Sequence, residues 1–229
     1  MTCPQCGNTL SSDATFCGDC GAPINKTESQ PSAAASSPGA VKVRALSLTA
    51  WRIVKAALLN PVEGVPNVFQ GLEKKEALEA GLVLAGLFDV CAIIGLYLML
   101  PRWAGQPGFG DVLKLLLLGI VPSAAIAGAS FLARKVFRGS PATFENDVFV
   151  AGVSLLPSGL MLLTAGIVGM GNIEVVALVS VFSLSYTILI LFTGCTQISQ
   201  ISKVRAVPAV PIILLVAGWF SKIVFAMMF

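Results

Sequence analysis

The sequence predicts an all-α membrane protein: a bundle of about five transmembrane helices, preceded by surface helices and by a small cysteine-rich unit at the N-terminus. Three observations carry that prediction. Of the 229 residues, 55% are hydrophobic and only 12% charged, whereas a soluble domain carries about 25% charge. With a mean hydropathy of +0.84, so little charge cannot cover a water-exposed surface of this size. The apolar residues fall into five runs, each near the roughly 20 residues that a helix needs to cross a bilayer. Four of the six cysteines fall within the first twenty residues.

Residues 1–24 form that unit. They read Cys3-Pro4-Gln5-Cys6-Gly7, then, after an intervening stretch, Cys17-Gly18-Asp19-Cys20-Gly21. Each C-x-x-C-G turn can aim two thiolates at one ion, and the glycine after the second cysteine permits the backbone twist. Two such turns supply a tetrahedral set of four sulfurs, the geometry of structural zinc. Leu10, Phe16 and Ile24 are the only candidates for a small core. Units this short usually need a staple, so the unit is expected to be a zinc ribbon that folds around one structural Zn2+ held by Cys3, Cys6, Cys17 and Cys20. With all four positions cysteine, no coordination position is left open for catalysis. Iron in the same four-sulfur set, a pair of redox dithiols and disulfides are the alternatives; disulfides would require an oxidising compartment.

Residues 25–42 are rich in serine, alanine and proline, with almost nothing to bury, and are expected to form a flexible linker. Residues 43–79 are expected to hold two helices lying at the membrane surface, around 43–59 and 66–79. The first gathers Arg44, Arg52 and Lys55 on one sector, with Leu46, Ile53, Val54 and Ala57 roughly opposite, and ends before Pro61. The second carries Val65, Val68, Phe69 and Leu72 on one side, with Glu73, Lys74, Lys75, Glu76 and Glu79 further along. The membrane domain, 80–229, is expected to have spans at 80–100, 112–131, 148–170, 175–196 and 207–229. The short Gly171-Asn172 break makes spans three and four a tight hairpin. Prolines 122, 157 and 211 are tolerable within spans.

Twelve of the fifteen lysines and arginines fall in the N-terminal region and in the loops after spans two and four. That excess predicts a multi-pass protein of the cytoplasmic (inner or plasma) membrane, with its N-terminus in the cytoplasm and its C-terminus on the opposite side. The N-terminus shows no apolar core or cleavage site, so no signal peptide is expected.

Two ionisable residues inside spans stand out. Asp89, near the middle of span one, shares a face with Gly81, Ala85 and Ala92, which aims it at the bundle. Lys222 lies in span five, from where it can snorkel outward or reach toward Asp89. They form a candidate intramembrane polar site. Gly119, Ser123 and Ala127 make a second small-residue stripe on span two. Cys91 and Cys195 read as small buried apolar residues, and Glu145 and Asp147 as ordinary interfacial charges. There is no histidine, hence no usual general base or proton shuttle, and no catalytic constellation, so no enzymatic activity is expected. A net charge of +3 is too small to imply nucleic acid.

Residues 45–229 resemble the YIP family, the Ypt/Rab-interacting integral membrane proteins, in its prokaryotic type. The likeness is carried by Leu58-Leu59-Asn60-Pro61-Val62-Glu63-Gly64 before span one, by Gly152-Val153-Ser154-Leu155-Leu156-Pro157 in span three, and by Ser202-Lys203-Val204-Arg205-Ala206 before the last span. The resemblance implies five spans, a cytoplasmic N-terminus and a non-enzymatic character. The Rab-binding role of eukaryotic members is not carried over.

The expected function is a membrane scaffold or adaptor, with the zinc ribbon docking a cytoplasmic protein partner. The alternative is a small-solute or ion transporter or channel using Asp89 and Lys222. The expected partners are the lipid bilayer and the unidentified cytoplasmic protein, with no nucleic acid; a homo-oligomer is left open.

Overall fold

The computed structural model describes residue 20 and residues 38–99, 108–137, 143–169 and 172–228. Contacts divide the chain into two units, Met1–Lys42 and Val43–Phe229. Of the first, only Cys20 and the opening of one helix are described. The expected linker falls largely outside the described residues.

Helices make up the second unit, and no strand occurs among the described residues. Helix α1 (Pro38–Leu59) starts with proline, whose fixed φ suits a first helical position, five residues before the point that periodicity predicts. It is followed by α2 (Gly64–Gln70), α3 (Lys74–Met99), α4 (Phe109–Val136), α5 (Phe144–Val168), α6 (Ile173–Thr193, continued by a π-helical turn Gly194–Ile198) and α7 (Lys203–Met228). Five of them (α3, α4, α5, α6 with its π turn, and α7) are long and apolar enough to cross a membrane. Every long helix runs past its predicted span at the end nearest the N-terminal helices, because hydropathy marks the apolar stretch and not the polar turns that continue it.

The two surface helices differ from expectation. Residues 66–79 do not form one helix. The chain breaks at Gly71–Glu73, and Lys74 to Glu79 are the first turns of α3. The Glu76 carboxylate accepts a hydrogen bond from the Glu73 backbone N–H at 3.0 Å, one half of a capping box that starts a new helix there. Helices α1 and α2 are also packed into the protein. Ile53 and Ala57, from the predicted apolar sector of α1, are fully buried, while Arg52 and Lys55 remain exposed. The α1–α2 corner is tight: a methyl on Gly64 would come 3.1 Å from Ala56 Cβ. The corner is tied down by Tyr186, whose hydroxyl donates to the Leu58 carbonyl at 3.3 Å, and by Gln197, whose amide donates to the Val62 carbonyl at 3.2 Å.

Helix α5 is the centre of the bundle. In its most apolar stretch 61% of residues are buried, against 17–28% in the other four spans. It contacts α3, α4 and α6, while α7 packs on α4 and α6. The α3–α5 contact is backbone to backbone. Gly81, Phe88 and Gly95 recur every seven residues on α3, and Gly152, Gly159 and Gly166 recur every seven on α5. Gly81 meets Gly152, Phe88 lies over Gly159, and Gly95 meets Gly166. A methyl on Gly81 would stand 2.8 Å from the Phe149 nitrogen. Small residues allow this approach in lipid, where close packing replaces the hydrophobic effect as the force between helices. The seven-residue repeat, kept by two parallel helices, is the repeat of a left-handed crossing.

Pro122, Pro157, Pro208 and Pro211 all lie inside helices. The π turn closes α6 with Ser199 N–H donating to the Gly194 carbonyl at 2.8 Å, and Gln200 then takes a left-handed φ of 51° that ends the helix. Gly194 lies against the Val150 side chain so closely that a methyl there would meet Cγ1 at 2.5 Å.

Candidate functional site

Three places hold chemistry-bearing side chains. The first is the cysteine unit. Cys3, Cys6 and Cys17 lie outside the described residues; Cys20 is described, in an exposed turn. Among the described residues no group of three or more His, Cys, Asp or Glu could hold a metal.

The second is Asp89. The face shared with Gly81 and Ala92 is buried as the small-residue spacing predicts. Asp89 itself is 7% exposed. Its carboxylate points at α4, where Oδ1 rests directly over Gly119, so closely that any side chain there would collide with it. The predicted stripe of Gly119, Ser123 and Ala127 therefore makes room for the acid. Asp89, Ser123 and Ala127 line a cavity of about 500 Å³ among α3, α4 and α5. Asp89 Oδ1 and Ser123 Oγ are buried there with no hydrogen-bond partner among the described residues.

Lys222 does not join this site. It is exposed on α7, and its ammonium lies 5.6 Å from the ring centroid of Trp219, which is itself 67% exposed. An amphipathic lysine lying over an outward-facing tryptophan suits an interfacial anchor. The reach toward Asp89 is corrected accordingly: the two residues form no ion pair.

The third place is one that the sequence does not announce. Asp147, read from the sequence as an interfacial charge, is completely buried, and its Oδ2 accepts a hydrogen bond from Arg134 Nη2 at 2.6 Å. The Arg134 guanidinium also lies 5.3 Å from the Phe131 ring centroid. Ser199, just after the π turn, acts on the Asp147 carboxylate, and the carboxylate in turn acts on Cys195 within the turn, which brings the ends of α4, α5 and α6 to one point. The pair spans a helical hairpin, with each partner about one turn inside its helix. That symmetry about the hairpin is the sequence signal that could have found it. Glu145 fits its predicted role better, since its side chain is partly exposed.

Residues 2–24 match the model of a zinc-ribbon domain. The matched stretch encloses both C-x-x-C pairs, and a zinc ribbon implies zinc binding. The donor chemistry fits: four thiolates, with no histidine anywhere in the chain, make an all-sulfur set that suits Zn2+ and completes its tetrahedron. Comparison with curated proteins and with solved structures returns no match. The protein is therefore a helical chain with five membrane-length apolar helices, of the kind that makes a multi-pass membrane protein, carrying a zinc-binding module at its N-terminus.

Proposed function

We propose that the protein is a non-enzymatic membrane scaffold or adaptor of the YIP type, whose zinc ribbon, on the cytoplasmic side, docks a protein partner while the helical bundle anchors it. The observation that carries this reading is the pairing of a zinc ribbon with a bundle whose central helix packs backbone to backbone on its neighbour. Helix α5 meets α3 backbone to backbone, which leaves no passage along that contact. In the ribbon, Cys3, Cys6, Cys17 and Cys20 would hold one zinc ion and present a rigid surface, and the part of the expected linker that precedes α1, residues 25–37, would let it search near the membrane. The inward orientation is supported by the ends of the helices: Lys74, Lys75, Arg134, Lys135, Lys203 and Arg205 all lie at the end where α3, α5 and α7 begin, the side expected to be cytoplasmic. There Arg205 also donates to the Phe137 carbonyl at 2.8 Å.

The test is crosslinking from the ribbon in native membranes, comparing the parent with a Cys3→Ser/Cys6→Ser variant. The docking reading expects a partner captured by the parent and lost by the variant. An unchanged set of crosslinked proteins sinks it.

Transport is the second reading, favoured by the Asp89 cavity alone, since Lys222 stands elsewhere. Reconstituted vesicles would show substrate- or ion-dependent flux that Asp89→Asn abolishes. Flux in neither form rejects transport.

A further inference from the structure

The Asp89 cavity holds an acid whose Oδ1 has no hydrogen-bond partner among the described residues. Among its described lining residues Asp89 is the only ionisable one, Ser123 is the only other one with a polar side chain, and the rest are glycine, alanine, leucine, isoleucine, valine and phenylalanine. Asp89 Oδ1 and Ser123 Oγ are both buried and, among the described residues, unpartnered. A carboxylate near the middle of a membrane-length helix is costly unless something meets it. Among the described residues no lysine or arginine lines the cavity.

We propose that this cavity binds a small amphipathic cation: a protonated amine on a compact apolar body. The ammonium would lie against Asp89, with Ser123 accepting a second N–H. The body would rest on Ala151 and Val148 of α5. A cavity of about 500 Å³ falls within the usual range for small organic ligands, roughly 300–1,000 Å³. Leu82, Ile120 and Phe144, at its edge, are all at least half exposed on the outer surface of the bundle, so the approach is sideways, from lipid, where such amines concentrate. Anions find no positive charge among the described lining residues. Hard metal cations need about six oxygen ligands, and one carboxylate with one hydroxyl does not provide them.

This ligand class belongs to the same cavity on which the transport reading rests, but equilibrium binding requires neither flux nor docking by the ribbon. A protein that binds the amine and moves nothing across the bilayer rejects transport and leaves the binding site standing.

The test uses the full chain in lipid nanodiscs. Adamantylamine, cyclohexylmethylamine and phenethylamine are titrated, with 1-adamantanol as the uncharged control, and followed by ligand-observed NMR. The expected result is saturable binding of at least one amine and none of the alcohol. Asp89→Asn should weaken binding at least tenfold. Ala124→Leu, which keeps the acid and fills the cavity, should weaken it similarly. Three results overturn the proposal: no saturable binding of any amine, equal binding of the alcohol, or an affinity unchanged in either variant. Thermal unfolding of each variant, compared with the parent, reports whether it is folded.

Discussion

The guanidinium of Arg134 and the carboxylate of Asp147 meet at 2.6 Å, with side chains 7% and 0% exposed. Ions so placed have given up their water, and their attraction repays that loss only while both are present. Removing the carboxylate takes away the opposite charge that offsets the buried guanidinium's lost hydration. Asp147→Ala is expected to lower stability by about 3–5 kcal/mol, read as an earlier unfolding transition in detergent. Replacing both by leucine should recover most of it. If the single variant melts with the parent, the pair contributes nothing.

The glycine contacts between α3 and α5 predict a sharp positional contrast. Gly152→Ala forces a methyl into the Gly81 backbone, and such overpacking typically costs about 1–3 kcal/mol. Gly128, on α4, has no neighbour within 4 Å of the position a Cβ would take. Gly128→Ala should be neutral or stabilising by up to about 1 kcal/mol through helix propensity. Thermal stability of the two variants, measured side by side, checks the ranking; the reverse order would refute the packing.

Zinc removal should separate the two parts of the molecule. Metal analysis is expected to give one zinc per chain, absent from Cys3→Ser/Cys6→Ser. A strong chelator should unfold residues 1–24 while the circular dichroism of the membrane helices persists. A loss of bundle helicity in step with the zinc would show that the ribbon is part of the bundle's stability.

Orientation has its own measurement. Lys203 opens α7 and Gly110 lies at the start of α4, at opposite ends of the bundle. Lys203→Cys should react with an impermeant maleimide only from the cytoplasmic side, and Gly110→Cys only from the other. The opposite pattern reverses the topology argued from the basic residues.

The five membrane-length helices are legible in the sequence because apolar runs of sufficient length have few other uses in a chain this poor in charge. The small-residue faces at Gly81 and at Gly119 are legible for a related reason: in lipid, glycine and alanine mark where another helix comes close. Hydropathy is silent on which helix sits in the middle, because a leucine facing lipid reads the same as one facing protein. The centrality of α5 therefore emerges only with the contacts of Gly152, Gly159 and Gly166. Asp147 misleads because a charge near the end of a span looks interfacial until its partner across the hairpin is known. The break at Gly71–Glu73 escapes because lysines and glutamates suit a surface helix and the first turn of a span equally well. The change from α to π geometry at Gly194 has no sequence signature that separates it from ordinary helix.

The glycine register between α3 and α5 also bears on how the protein is made. The two helices are neighbours in space but not in the chain, since α4 lies between them. When Gly81 leaves the ribosome, its counterpart Gly152 is still about seventy residues away, roughly 4–14 s at ordinary synthesis rates of 5–20 residues per second. During that interval α3 stands in the membrane with its glycine face bare, and the Asp89 carboxylate stays uncovered until α4 brings Gly119 over it. The nascent chain therefore passes through a stage at which an insertion chaperone, or the wall of the translocon itself, has something definite to hold.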